Sequence, residues 1–210
     1  MSIRRHPFFH ALKPSLAPHI AKIAFCWNTH LMKVQPLFLS ALCFMIAACS
    51  STVSTPANIT HSKFPTVQGE NLNKESITLP DHYRGKNTLI LIGYLQKTQF
   101  DIDRWILGVL QADIKVEIVE VPTIAGMMPQ MVQGFINNGM RKGIPSSDWA
   151  SVVTVYEDAP KIIAALGNER PQSAYAVLLD KDGYIVWTST LGYSATQVLE
   201  LKKLVESLLR

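Results

Sequence analysis

The sequence predicts an α/β fold in which a central mixed β-sheet is flanked by helices on both faces. Strand and helix patterns alternate along the chain, which favours a sheet with a parallel core. Residues 88–95 (TLILIGYL) form a continuous apolar run, typical of a strand that is buried on both faces. Residues 180–183 (DKDG) separate two apolar segments and predict an antiparallel hairpin near the end of the chain.

Six strands are predicted from apolar runs and their boundaries. The first alternates polar and apolar residues and ends at Pro80, which places it at a sheet edge. In chain order, the strands cover Ser76–Leu79, Thr88–Leu95, Ile114–Val121, Ser151–Tyr156, Ala174–Leu179 and Tyr184–Trp187.

Four helical segments lie between or after these strands. Their expected bounds are 101–110, 127–141 as one helix or two, 158–166 and 194–208. Gly139 and Gly143 are read as stop signals of the second helix, and Gly167 follows the third. Ser194 and Gln197 suggest a capping box for the last helix.

Methionines are concentrated in the second helical segment. Met127, Met128, Met131 and Met140 are expected to fill gaps in the core, as flexible thioether side chains do. The alternative is a soft-metal site for copper, since thioethers are soft ligands.

The N-terminal region reads as a targeting segment. Met32 and Lys33 precede an apolar stretch, Val34–Ala48, of signal-peptide length. Its end, Ile-Ala-Ala-Cys, resembles the lipobox of bacterial lipoproteins. That resemblance implies cleavage before Cys49 and attachment of lipid, including palmitate, to this residue.

The expected organisation follows from this resemblance. Residues 1–31 form an upstream extension from a mis-called start, 32–48 a lipoprotein signal peptide, 49–62 a flexible tether and 63–210 the folded domain. The alternative is an uncleaved anchor that follows a long cytoplasmic segment. Ser50 after the lipidated cysteine resembles outer-membrane sorting, so we expect a lipid-anchored protein of the bacterial cell envelope that faces the periplasm.

Charge argues against nucleic acid as a partner. Residues 1–48 contain five Lys or Arg and no Asp or Glu, which leaves fifteen of the twenty basic residues against all sixteen acidic ones. The mature chain would therefore carry a net charge of −1, and the basic pI of about 9.0 belongs to the leader. Nucleic-acid-binding domains are usually basic.

The arrangement of the mature domain resembles the thioredoxin-like fold in its peroxiredoxin-like form. The residues that carry the likeness are Leu89–Tyr94, the helix that opens near Phe100–Trp105, and Ala176–Gly183. In thioredoxins, the turn from the first central strand into its helix carries Cys-x-x-Cys, whose reactive thiolate lies at the helix N-terminus.

The corresponding turn of this chain contains no cysteine. It reads QKTQFDID over residues 96–103, with Gln99 and Ile102 at the two cysteine positions. In a peroxiredoxin comparison, Thr98 matches a threonine and Asp101 falls on the peroxidatic cysteine. Ala174 stands where active thioredoxins have a cis-proline. The resemblance therefore implies a thioredoxin-like fold without thiol chemistry, and we expect a protein that is not an enzyme.

A narrower likeness is to the mitochondrial ATP synthase assembly-factor family, whose members help to build a membrane sector. It rests on Phe64-Pro65, Gly85-Lys86, Trp105, Val121-Pro122, the segment 139–145 (GMRKGIP) and Leu178–Asp180. This likeness implies an assembly role for a membrane complex, and it draws attention to the basic end of the second helix.

Candidate binding residues follow from these two likenesses. Gln99, Asp101 and Arg104 lie where the family has its redox site, and Arg141 lies in the Met-Arg motif. The plainer interpretation is that Asp101 and Arg104 are first-turn charges and that Arg141 complements a helix C-terminus. The expected partners are a membrane, through lipid on Cys49, and an envelope protein or membrane complex.

We expect no cofactor and no metal, because His61 and His82 stand apart without companion ligands. An enzyme alternative, a peroxiredoxin-like or other thiol oxidoreductase, would need Cys26, Cys43 or Cys49, the three cysteines of the chain. The copper carrier suggested by the methionines is the remaining alternative.

Overall fold

The computed structural model describes residues 59–127 and 129–209. Seven strands are present there: β1 Val67–Asn71, β2 Ser76–Leu79, β3 Thr88–Gly93, β4 Glu117–Pro122, β5 Val153–Thr154, β6 Tyr175–Leu179 and β7 Ile185–Ser189. Four α-helices accompany them: α1 Gln99–Gln111, α2 Gln130–Gly143, α3 Ala159–Leu166 and α4 Ala195–Leu208. Short 3-10 turns cover Asp81–Tyr83, Gln96–Thr98 and Ser146–Ser151.

The main sheet has four strands in the order β4-β3-β6-β7. β3 and β4 are parallel, with Ile90 opposite Val119, whereas β6 and β7 run antiparallel to their neighbours. A second, antiparallel sheet has the order β2-β1-β5. Two parallel bridges, Glu120–Val152 and Thr123–Val155, place the β5 segment beside β4. The β-structure is therefore mixed.

β3 is central because all six of its residues are buried. Its side chains alternate between two hydrophobic clusters, as expected for a pleated strand. Ile90 and Ile92 enter a cluster that also contains residues of β1, β2 and α3. Leu89 and Leu91 enter the other cluster, which α1 and α4 cover. Helices thus lie on both faces of the main sheet.

This architecture is the thioredoxin-like α/β fold, and the predicted fold class is confirmed. The strand–helix–parallel-strand unit β3-α1-β4 is followed, after α2 and α3, by the β6-β7 hairpin and α4. α1 contributes buried Ile102, Trp105 and Val109 at helical spacing.

Several details of the prediction were wrong. β1 was not predicted, because its sequence VQGEN alternates only weakly. The strand expected at 151–156 is reduced to Val153–Thr154, since a 3-10 turn occupies the preceding residues. Gly139 does not stop α2, which continues to Gly143. Ser194 makes no side-chain cap, and Gln197 Oε1 instead accepts a hydrogen bond from Ser189 Oγ (2.9 Å).

The predicted tether ends earlier than expected. His61 N donates to Ile185 O (2.7 Å), and Ile185 N donates to Ser62 O (2.8 Å). Residues 59–62 are therefore part of the folded structure, packed beside β7. The predicted extension 1–31, the signal peptide 32–48 and Cys49 lie outside the described residues, as does Met128.

The expectation that the methionines fill the core was also wrong for two of them. Met127 and Met131 are 104% and 85% exposed. Met140 is half-buried. For Met131 the cause is the orientation of α2, whose one fully buried residue is Asn137.

Candidate functional site

The turn between β3 and α1 is the position at which the fold family has its thiol. β3 ends at Gly93, and a Cβ at this position would lie 3.1 Å from Ile102 Cδ1, so a larger residue would crowd α1. Thr98 is fully buried just before α1, and its hydroxyl donates to Pro171 O (3.1 Å). The start of α1 is thereby fixed against the loop that leads into β6.

Asp101, in the first turn of α1, binds two backbone amides that are distant in sequence. Ala174 N donates to Oδ2 (2.8 Å), and Tyr193 N donates to Oδ1 (3.0 Å). Gly192 permits this approach, because a Cβ there would lie 2.6 Å from Asp101 Oδ2. Asp101 thus holds three segments together: α1, the loop before β6 and the loop before α4.

Arg104 is the exposed member of the predicted set. Its guanidinium lies 5.0 Å from the centre of the Tyr193 ring, within the range of a cation–π contact. Tyr193 in turn meets Trp105 edge-on, with ring centres 5.8 Å apart. Since Tyr193 is anchored through its backbone to Asp101, the position of Arg104 depends on the same loop.

Gln99 connects the start of α1 to β4. Its Nε2 contacts Asp103 Oδ1 at 3.0 Å and Glu120 Oε2 at 3.4 Å. Glu120 is buried, with 7% of its surface exposed. Burial raises its pKa to about 7; the hydrogen bond from Gln99 lowers it, and the negative charge of Asp103 raises it.

Glu120 was not among the predicted site residues. The available signal was its place in an otherwise apolar stretch, IVEV at 118–121, of a strand expected to be covered on both faces. On such a strand the side chain points towards a covered face of the sheet, so a carboxylate there is expected to be buried.

Arg141 belongs to a different region of the molecule. Its Nε donates to Leu72 O (2.6 Å) in the β1–β2 turn, and its Nη1 donates to Asn138 Oδ1 (2.8 Å). Glu70 Oε1 lies 3.8 Å from Nη2, and only 13% of the Arg141 side chain is exposed. The polar contacts described for Arg141 lie on β1, the β1–β2 turn and α2, so it does not form one surface with Gln99, Asp101 and Arg104.

A polar cleft of about 410 Å³ separates α2 from β1 and the β1–β2 turn. Asn137 crosses it: its Nδ2 donates to Glu70 Oε1 (3.2 Å), and its Oδ1 accepts from the Tyr156 hydroxyl (2.9 Å). Burial, and then the charge of Glu70, raise the pKa of Tyr156 to about 12, so its hydroxyl stays protonated and remains a donor. The cleft is lined by Glu70, Lys74, Gln130, Gln133, Gly134, Asn137, Asn138, Arg141 and Tyr156.

Metal ligands do not converge in the part of the chain that the structure describes. Among residues 59–127 and 129–209, no group of three or more His, Cys, Asp or Glu side chains has a metal-binding arrangement. Over the same residues, no helix is long and apolar enough to cross a membrane.

No protein-family model matches the chain, and no curated protein matches its sequence. Solved structures align with most of the chain at low identity. The exposed lipoprotein thioredoxin of Streptococcus pneumoniae strain TIGR4 is 14% identical, with 66% of this chain and 98% of that chain covered and a TM-score of 0.46. A thiol peroxidase from Chromobacterium violaceum is 10% identical, with 72% and 88% covered and a TM-score of 0.47. A secreted thiol-disulfide isomerase from Corynebacterium glutamicum is 14% identical, with 68% and 85% covered and a TM-score of 0.44.

Proposed function

We propose that this protein is a lipid-anchored lipoprotein of the bacterial cell envelope whose thioredoxin-like domain binds protein partners without catalysis. The observation that carries this proposal is the environment of Asp101. Both of its carboxylate oxygens accept backbone hydrogen bonds at the place where the fold family has a sulfur nucleophile. A carboxylate used in this way supports the fold and offers no thiolate for redox chemistry.

The cysteine pattern gives the second support. All three cysteines lie at or before residue 49, and the lipobox resemblance assigns lipid to Cys49. Two or three acyl chains would anchor the chain stably, whereas one would not. Together with Ser50, this supports attachment to the outer membrane on the periplasmic side. The likeness to ATP synthase assembly factors supports a membrane complex as the client.

The exposed side of α1 from Phe100 to Leu107 is the most suitable partner surface. Arg104 is exposed there, between two apolar side chains on the same side of the helix: Phe100 is 74% exposed and Leu107 is 56% exposed. Spacings of four and three residues bring these side chains next to one another. A central cation between exposed apolar groups suits a partner that presents acidic and apolar residues.

The test is crosslinking in cells that produce the C-terminally tagged full chain, followed by purification from membranes and mass spectrometry. We expect reproducible enrichment of one membrane complex and a loss of at least fivefold with Arg104→Glu. Lys203→Glu, an equal charge change at an exposed position of α4, is the control and should leave capture unchanged.

Two results would count against the proposal. If both variants capture the complex equally well, α1 is not the partner-binding surface. If the eluate contains only abundant lipoproteins, the protein has no assembly role. Thiol titration of the purified mature protein tests the alternative that it is a thiol oxidoreductase. A free, reactive thiol at Cys49 would support that alternative.

A further inference from the structure

α2 turns its largest apolar side chains away from the domain. Met131 and Phe135, four residues apart, are 85% and 80% exposed, and Val132 is 41% exposed. Met127, just before the helix, is fully exposed. The side of α2 that faces the domain holds the buried Asn137 and the hydrogen-bonded Arg141. A helix oriented in this way exposes an apolar stripe to water, which is energetically unfavourable.

Lys142 lies on the same side of α2, one turn beyond the exposed Asn138. It follows Met131 by eleven residues, which is close to three complete helical turns, so the two side chains lie on the same side of α2. Lys142 is exposed, and α2 has no acidic residue in its first turn. From Val121 to Ser147 the sequence contains no Asp or Glu at all, and its charges are Arg141 and Lys142.

We infer that the outward side of α2, defined by Met131, Phe135 and Lys142, lies on a lipid bilayer that contains anionic phospholipid. An amphipathic helix with aromatic and aliphatic side chains on one side lies in the plane of the membrane interface, and a lysine at the end of that side can extend its ammonium group to the headgroups. The acid-free segment complements anionic headgroups, which an acidic stretch would repel. The apolar side chains would enter the boundary between headgroups and acyl chains.

The predicted anchor makes this contact sterically possible, and in that respect the inference rests on the proposed function. The ten Cα–Cα steps from Cys49 to Ile59 span at most about 35 Å when extended. A domain of this size has a radius of gyration of about 15 Å. A lipid on Cys49 would therefore hold the domain within one diameter of the bilayer surface, where α2 can bind.

The test uses Phe135→p-benzoylphenylalanine in the full chain, which replaces one exposed aromatic side chain by another. The protein is purified from membranes and reconstituted in vesicles of phosphatidylethanolamine and phosphatidylglycerol. After irradiation, intact-mass spectrometry identifies adducts. Leu199→p-benzoylphenylalanine, at a 58% exposed position of α4, is the matched control.

We expect phospholipid adducts at position 135 at least tenfold above those at position 199. The yield should fall severalfold with Lys142→Glu or when phosphatidylcholine replaces phosphatidylglycerol. Equal lipid yields at the two positions, or no adduct at 135, would overturn the inference. The same variant is also irradiated in cell membranes before purification, and a crosslinked dimer or a second protein at 135 there would overturn it as well.

The same mass spectrum separates this inference from the anchor. A chain without lipid on Cys49 that still forms phospholipid adducts at 135 would support the α2 contact and refute the lipoprotein. A lipidated chain that crosslinks at 135 only to protein would refute the bilayer contact and keep the partner-binding role.

Discussion

α1 and α2 have nearly the same length, 13 and 14 residues, and both carry apolar side chains at helical spacing. They are attached to the domain by different forces. α1 places Ile102, Trp105 and Val109 in the core, whereas α2 buries only Asn137 completely. Amphipathic spacing therefore shows that a helix has an apolar side, but the side that meets the domain is decided by the partners available there. At α2 these partners are polar: Glu70, the Leu72 carbonyl and Tyr156.

Removal of the largest side chain that α1 places in the core should have the largest effect on the free energy of unfolding. Trp105 is fully buried and meets Trp187 and Tyr193 edge-on. Trp105→Ala should lower the free energy of unfolding by about 3–5 kcal/mol, since it removes burial and leaves a cavity. Urea denaturation measures this loss. Leu107→Ala, on the exposed side of the same helix, should stay within about 0.5 kcal/mol, and similar losses for the two variants would show that α1 is not held by its apolar side.

The second prediction concerns the buried carboxylate at the α1 interface. Because burial raises the pKa of Glu120 from 4.5 to about 7, the folded state binds more protons than the unfolded state between these values. Its contribution to stability is complete below pH 4.5 and is lost as the pH rises to about 7. Glu120→Gln should remove this slope and raise the free energy of unfolding at pH 8 by about 3 kcal/mol.

Urea denaturation at several pH values between 4 and 8 measures the slope. Glu117→Gln on the same strand is the control, because this side chain reaches Lys86 at the surface and its replacement should leave the slope in place. Equal pH slopes for the wild-type protein and Glu120→Gln would contradict the assignment to Glu120.

Sequence patterns predicted the core of the fold because its main determinants are local. The apolar run of β3, the spacing of Ile102, Trp105 and Val109 in α1, and the turn at 180–183 each specify an element without reference to the rest of the chain. The first strand, VQGEN, was missed since it forms through pairing with β2 on one side and β5 on the other, and its own sequence alternates only weakly.

The candidate site was less predictable, because its contacts join distant segments. The carboxylate of Asp101 meets Ala174 and Tyr193, 73 and 92 residues away. Arg141 reaches Leu72, 69 residues earlier, so a motif at a helix end gave no indication that its side chain faces inward. The cysteine-free turn could be predicted from the sequence alone, but the structural use of Asp101 could not.

It should be possible to remove the polar contacts that hold α2 without unfolding the hydrophobic core. Asn137→Ala removes the hydrogen bonds to Glu70 and Tyr156, each worth about 1 kcal/mol, and leaves a buried hydroxyl without this partner. We expect amide hydrogen exchange in α2 to accelerate by at least tenfold, while exchange in α1 changes little. Gln130→Ala, an exposed amide at the start of α2, is the control. Equal acceleration in α1 would show that the two helices unfold together.

Replacement of either of two glycines by alanine should have the smallest effects on stability, and the two effects should have opposite signs. A Cβ at Gly139 of α2 would meet nothing within 4 Å, so Gly139→Ala should stabilise the helix by up to about 1 kcal/mol through its better helix propensity. A Cβ at Gly108 of α1 would lie 2.9 Å from Tyr193 Cε2 and 3.1 Å from Val198 Cγ2, so the same change there should destabilise the α1–α4 contact.

Thermal unfolding measures the sign for Gly108→Ala, and hydrogen exchange in α2 measures it for Gly139→Ala. Stabilisation at both positions would mean that α1 has room against α4, whereas destabilisation at both would mean that the outward side of α2 is covered in the isolated protein.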